Sequence, residues 1–165
     1  MGFKQSRSHI TRVAPVLTDG AYTAGQQMGE AFEIRDALST NGSSSVIASC
    51  VLLDKAKQTQ PFDLVLFDDL PATGVDGATE GITDAEMLKQ LGTLRFLAAD
   101  YVDFAANTQV QTRNVGLMVD SNVSDSSALT NTRRQTSIWG VLVARGTINV
   151  AAPSDWQFKI GFLQE

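Results

Sequence analysis

The chain has 165 residues, 43% hydrophobic and 19% charged, with 13 glycines and a net charge of −5. That length suits one domain with a sizeable core, and the low charge and high glycine content favour strands and turns over helices. The acidic balance argues against nucleic acid or an anionic membrane surface as a partner. No run approaches the ~18 apolar residues of a membrane span, so a soluble protein made in a cytoplasm is expected.

The first twelve residues carry Lys4, Arg7 and Arg12 with no acid before Asp19. In an acidic protein this reads as a basic arm, suited to a negatively charged neighbour. With the strand-like stretch Arg12–Leu17, interrupted by Pro15, it makes a segment 1–17 ahead of one β-sandwich domain, 18–165. Thr18–Gly29 holds three glycines and reads as a long turn. Ala31–Leu38 alternates Phe32 and Ile34 with Glu33 and Arg35, the period-two pattern of a strand. Asn41-Gly42 and three serines then signal a turn, predicting a hairpin between Ala31–Leu38 and Ser45–Lys55.

Phe62–Asp68 reads as the next strand, with Pro61 and Pro71 bracketing the region. A glycine-containing loop from Asp69 to Gly81 leads to the one helix signal. Thr83 is placed as its cap, Glu86 completes a capping box, Met87, Leu88 and Leu91 share a side, and Gly92 is the stop. Strands are predicted at Thr93–Ala99 and Asn107–Val119, then a polar loop over Asp120–Arg134.

The strongest strand signals come last. In Ser137–Gly146, Trp139, Val141 and Val143 alternate with Ile138, Leu142 and Ala144, so both faces are apolar and both need cover. In Ser154–Gln164, Trp156, Phe158, Ile160 and Phe162 fall on one face and Gln157, Lys159 and Gly161 on the other. About eight strands at this spacing predict an all-β fold, an antiparallel sandwich or jelly roll with one short helix.

Chemistry is sparse. The one cysteine, Cys50, lies in an apolar run and reads as a small buried hydrophobe, while the one histidine, His9, sits in ordinary strand sequence. These counts leave no room for a histidine-rich or cysteine-rich metal site, and no cofactor is expected. Asp120-x-Asn122-x-Ser124-Asp125 only partly fits a calcium loop, lacking the sixth-position glycine and the twelfth-position glutamate. Asp68-Asp69, with Asp63 and Asp76 nearby, has the residue types of an acid/base pair, but strand alternation sends Asp68 and Asp69 to opposite faces. Trp139 and Trp156 would serve as a sugar-stacking platform if exposed together; their apolar registers favour packing instead.

Several runs resemble, in order and spacing, small tailed-bacteriophage virion proteins. They are T-D-G-A-Y-T-A-G-Q-Q-M-G at Thr18–Gly29, D-L-V-L-F-D at Asp63–Asp68, V-G-L-M-V at Val115–Val119, and W-G-V-L-V-A-R-G-T with F-K-I-G-F-L-Q near the end. The resemblance implies a non-enzymatic structural protein of the particle, looking most like a jelly-roll decoration or cement protein, commonly a trimer. Its implied partner is the major capsid protein or another virion protein, and its implied location is the virion, assembled in the host cytoplasm. Lys4, Arg7 and Arg12 are then expected to attach the protein to its platform, and Trp139, Val141 and Val143 to face another subunit. A tail, baseplate or head-fibre component is the alternative within this class. A carbohydrate-binding sandwich is the alternative outside it, and would need Trp139, Trp156 or Tyr101 exposed in a cleft.

Overall fold

A computed structural model describes residues 7–18, 20–39, 43–73, 76–79, 82–112, 115–120 and 136–164. Among these are twelve strands: β1 (Arg7–Val13), β2 (Gly20–Tyr22), β3 (Gln27–Ile34), β4 (Ser44–Asp54), β5 (Phe62–Phe67), β6 (Gln90–Phe96), β7 (Tyr101–Asp103), β8 (Thr108–Gln111), β9 (Leu117–Asp120), β10 (Ile138–Ala144), β11 (Ile148–Val150) and β12 (Trp156–Gln164). One helical turn, α1 (Asp84–Met87), lies between β5 and β6.

The strands pair from the outside of the sequence inward. β1 pairs with β12, β3 with β10, β4 with both β8 and β9, and β5 with β6, all antiparallel. Alternate pairs fall in opposite sheets, giving the order β1-β12-β4-β8-β7 in the first, with β9 also on β4, and β3-β10-β5-β6 in the second. Setting aside the short β2, β7 and β11 and counting β8 with β9 as one interrupted strand leaves eight principal strands. This winding of one long antiparallel ribbon into two sheets is a jelly roll.

The inner faces share one core. Phe62 and Phe96 stack at 4.4 Å in the second sheet, and Phe62 meets Trp156 of the first at 4.5 Å. Phe158 lies edge-on to both Phe62 and Phe96 at 6.0 Å. The alternation expected in the last strand holds, with Trp156, Phe158, Ile160 and Phe162 all buried. Gly140 makes a close approach possible: a Cβ there would stand 2.8 Å from the Phe32 ring that lies over it.

Several expectations are corrected. β3 and β4 form no hairpin; they lie in different sheets, and each pairs with a strand from the end of the chain. Period-two alternation tells which face a residue is on but not which strand lies beside it, so the Asn41-Gly42 signal did not determine pairing. That dipeptide itself lies outside the described residues. Thr18–Gly29 is not all turn, because β2 forms within it and pairs with β11. The strand expected over Asn107–Val119 is broken into β8 and β9. The break faces an extra residue in β4: the β12 register jumps from Ser49 to Ile47, skipping Ala48 and switching which β4 side chains point inward.

The helix is one turn and ends well short of the expected stop at Gly92. Thr83 caps it as expected, accepting from the Glu86 N–H. The Glu86 carboxylate, however, accepts from the Ala72 N–H at 3.0 Å, and Leu91 and Gly92 belong to β6.

In β3 a register shift opposite Gly140 and Leu142 accommodates Gly29, whose φ is +71. A Cβ on Gly29 would lie 2.4 Å from the Val16 carbonyl oxygen, whereas one on Gly77, also left-handed at φ +76, meets open space. Gly29→Ala is therefore expected to cost about 2–4 kcal/mol by strain plus clash, and Gly77→Ala only about 1 kcal/mol. Urea denaturation of both variants measures the difference, and equal losses would refute the clash.

Candidate functional site

The outer face of the first sheet is the open surface of the sandwich. Along β1, Ile10 and Arg12 point outward; along β12, Gln157, Lys159 and Leu163 do so. The register sets Arg12 opposite Lys159 and Lys159 opposite Val51 of β4. Leu163 lies beside Val46, which lies beside Met118 of β9. Ile10, Leu163 and Met118 are 55%, 46% and 66% exposed, so apolar side chains reach solvent on this face. A groove of about 450 Å³ crosses this face, lined by Arg12, Val51, Leu53, Gln109, Gln157 and Lys159 among others. The face thus carries exposed apolar side chains and two cations, with the exposed Asp120 beyond Met118 on β9.

The expected basic arm is distributed differently. Lys4 lies outside the described residues. Arg7 and Arg12 belong to strand β1, and being five positions apart they point to opposite sides of the sheet. Arg7 shares its side with Thr11, whose hydroxyl donates to the Arg35 carbonyl at 2.7 Å, and with Val13, which packs on the core. Arg12 is therefore joined not by Arg7 but by Lys159. Sequence reading passed over Lys159 as the polar side of the last strand, although that polar side is the outward face.

The outer face of the second sheet is closed by the chain itself. Val65, Phe67, Val141 and Val143 form a second buried cluster, with Ala31, Ile82 and Trp139 packed around it. The segment between β5 and β6 folds back to this face. The Gln27 N–H donates to the Ala78 carbonyl at 3.0 Å, and the Gly77 N–H donates to the Gln27 carbonyl at 2.9 Å. Asp76 clasps the segment in place: its carboxylate accepts from the hydroxyls of Thr18 and Tyr22 and from the Gly29 N–H at 2.6 Å. Val141 and Val143, expected to face another subunit, have no exposed surface in the isolated chain, and Trp139 packs at the margin of their cluster. The two-sided apolarity of β10 is real, but its second cover is intramolecular.

Other candidate groups are engaged in structure, apart from the buried Oδ1 of Asp68, which has no partner among the described residues. Burial pushes the Cys50 thiol up to about 12, which leaves it protonated and unreactive at neutral pH. Asp63 is held by Arg95 and Arg145, and Asp76 by its clasp. Of the adjacent pair, Asp69 accepts its neighbour Leu70 N–H at 2.8 Å, and burial, with the Asp69 charge second, raises Asp68. Much of Asp120–Asp125 lies outside the described residues, and no cluster of three or more metal-ligating side chains occurs among the described ones. The sugar-stacking platform is not assembled. Trp156 is wholly in the core, Trp139 is on the far side of the second sheet, and the Tyr101 hydroxyl is spent on the Gln60 carbonyl at 3.1 Å.

No family model matches this sequence, and no curated protein does. Among solved structures, the chain is similar to infectious bursal disease virus, Gx strain, at 12% identity and a TM-score of 0.40, covering 98% of this chain and 32% of that one. It is similar to infectious bursal disease virus VP2 in a subviral particle at 12% identity and 0.41, covering 98% and 33%. Turnip yellow mosaic virus follows at 9% identity and 0.31, covering 97% and 93%. The chain thus spans about a third of the first two. At such scores these likenesses carry no functional weight, and the fold rests on the strand orders.

Two predictions follow from the closed face. Burial raises Asp76, but the hydrogen bonds from Thr18, Tyr22, Gly29 and Gly77 outweigh it and leave its carboxyl below the ordinary value. A depressed folded value gives stability that is full above the unfolded value of about 4 and lost as pH falls through the folded one. Wild type should therefore be more stable than Asp76→Asn at neutral pH, and the gap should close on acidification below about pH 4. A pH series of thermal melts reads this, and a constant gap would refute it. Val141→Asp, which buries an unpaired charge, should unfold the isolated chain, with a loss of about 4 kcal/mol or more. A folded variant by circular dichroism would show that the cover opens freely.

Proposed function

We propose that the protein is a structural component of a virus particle, a decoration or cement protein that binds the head shell as an oligomer, with a trimer favoured. The observation that carries this reading is the outer face of the first sheet, where Ile10, Leu163 and Met118 are exposed and Arg12 lies opposite Lys159. The resemblance of the Thr18–Gly29, Asp63–Asp68 and terminal strand runs to small tailed-bacteriophage virion proteins supports the setting. Sheet faces of this kind bind by burying surface rather than by chemistry, and bound free energy adds directly to the stability of the assembly. The two cations select an acidic patch on the major capsid protein or another virion protein, and give attachment its register and its salt dependence.

On this reading the protein resides in the virion after assembly in the host cytoplasm. A tail, baseplate or head-fibre position is the alternative within the same structural class. Negative-stain images of virions labelled with an antibody against this chain distinguish these positions, and particles without label would overturn the virion assignment.

Attachment itself is read by co-sedimentation with shells lacking the protein. The double variant Arg12→Glu, Lys159→Glu is expected to bind at least about tenfold more weakly, equivalent to ~1.4 kcal/mol, while remaining folded. Wild-type binding should weaken as salt rises. Undiminished occupancy by the double variant would remove the face from the attachment.

A further inference from the structure

On the outer face of the second sheet, beside the closed apolar cluster, one buried carboxylate holds two exposed guanidiniums. Asp63, on β5 with 2% of its side chain exposed, accepts from Arg95 Nε through Oδ1 at 3.2 Å and from Arg145 Nε through Oδ2 at 2.8 Å. Arg95 is opposite Asp63 on β6, and Arg145 follows directly on β10, whose Val143 is opposite Asp63 on the other side. The Arg145 backbone is fixed as well, its N–H donating to the Pro61 carbonyl at 3.0 Å. A single guanidinium would neutralise the carboxylate. The second leaves a net positive charge at this point in an acidic chain.

The remaining donors decide what this charge is for. Each arginine meets Asp63 through Nε alone, so the Nη groups make no hydrogen bond to a described residue. The side chains of Arg95 and Arg145 are 69% and 42% exposed, which puts those donors within reach of a dissolved ligand. A guanidinium anchored at Nε loses little freedom on binding a second partner, and its planar fork matches two oxygens of one anion. The geometry points to an oxyanion-binding site in which Arg95 and Arg145, held in place by Asp63, grip a phosphate or carboxylate group. Asp63 is a positioning residue and does not touch the ligand.

The test uses the full chain and inorganic phosphate at pH 7, titrated at ionic strength held constant with sodium chloride. The arginine Nε–Hε resonances are followed by NMR. Saturable shifts at Arg95 and Arg145, with a dissociation constant on the order of 1 mM, are expected. Arg95→Gln keeps the Asp63–Arg145 pair and should weaken phosphate at least about tenfold. Arg145→Gln applies the same test from the other arm if Arg95→Gln disturbs the backbone amide spectrum. A parallel titration with triglutamate peptide separates the sources of the ligand. Saturation by phosphate alone marks a small free anion, and saturation by peptide alone marks a protein carboxylate, either outcome upholding the site. Shifts no larger than those from chloride for both probes, or undiminished binding in both variants, overturn it.

Discussion

Everything in this fold depends on two strands being gripped on both edges. β12 lies between β1 and β4, and β10 between β3 and β5. Each is an interior strand of its sheet and each comes from the C-terminal part of the described chain, so neither sheet is continuous without it. The aromatic core obeys the same constraint, since Phe62 and Phe96 are half of a cluster that Trp156 and Phe158 complete. Contacts of such long sequence separation pay loop-closure entropy before they return any burial, which makes this a slow, all-or-none fold by topology.

The sequence was most legible where local pattern and tertiary role coincide. The β5, β10 and β12 segments stand out because their alternation or apolar runs are uninterrupted, and the centres of sheets require just that. What could not be read was partnership. The Asn41-Gly42 signal pointed to a local hairpin, yet β3 and β4 each found a distant neighbour. The Thr83 cap was legible because capping is local, but the helix length was not, since Leu91 and Gly92 belong to β6, which pairs with β5. At the candidate site, the outward cations of β1 and β12 are two signals that only register brings together. Charge counting at the chain start found Arg12 and missed Lys159. The two-sided apolarity of β10 correctly announced a second cover, but nothing local says that the cover is the chain's own β5–β6 segment.

The two outer faces therefore differ in kind. One is sealed by a segment clasped through Asp76, leaving Trp139 at its margin; the other carries Ile10, Leu163 and Met118 in the open beside Arg12 and Lys159. A sandwich built this way has a front and a back. Its polarity comes from a loop rather than from the sheets, whose central strands are apolar on their inner sides in both cases.

The ladder between β1 and β12 sets Arg7 opposite Gln164. The described chain thus enters and leaves at one corner of the molecule. Tension applied between those two points would peel the ladder open one hydrogen bond at a time, as a zipper yields, while pressure on either sheet face would be shared across every strand at once. Mechanically, the molecule is weak when pulled by its ends and strong when pressed on its faces.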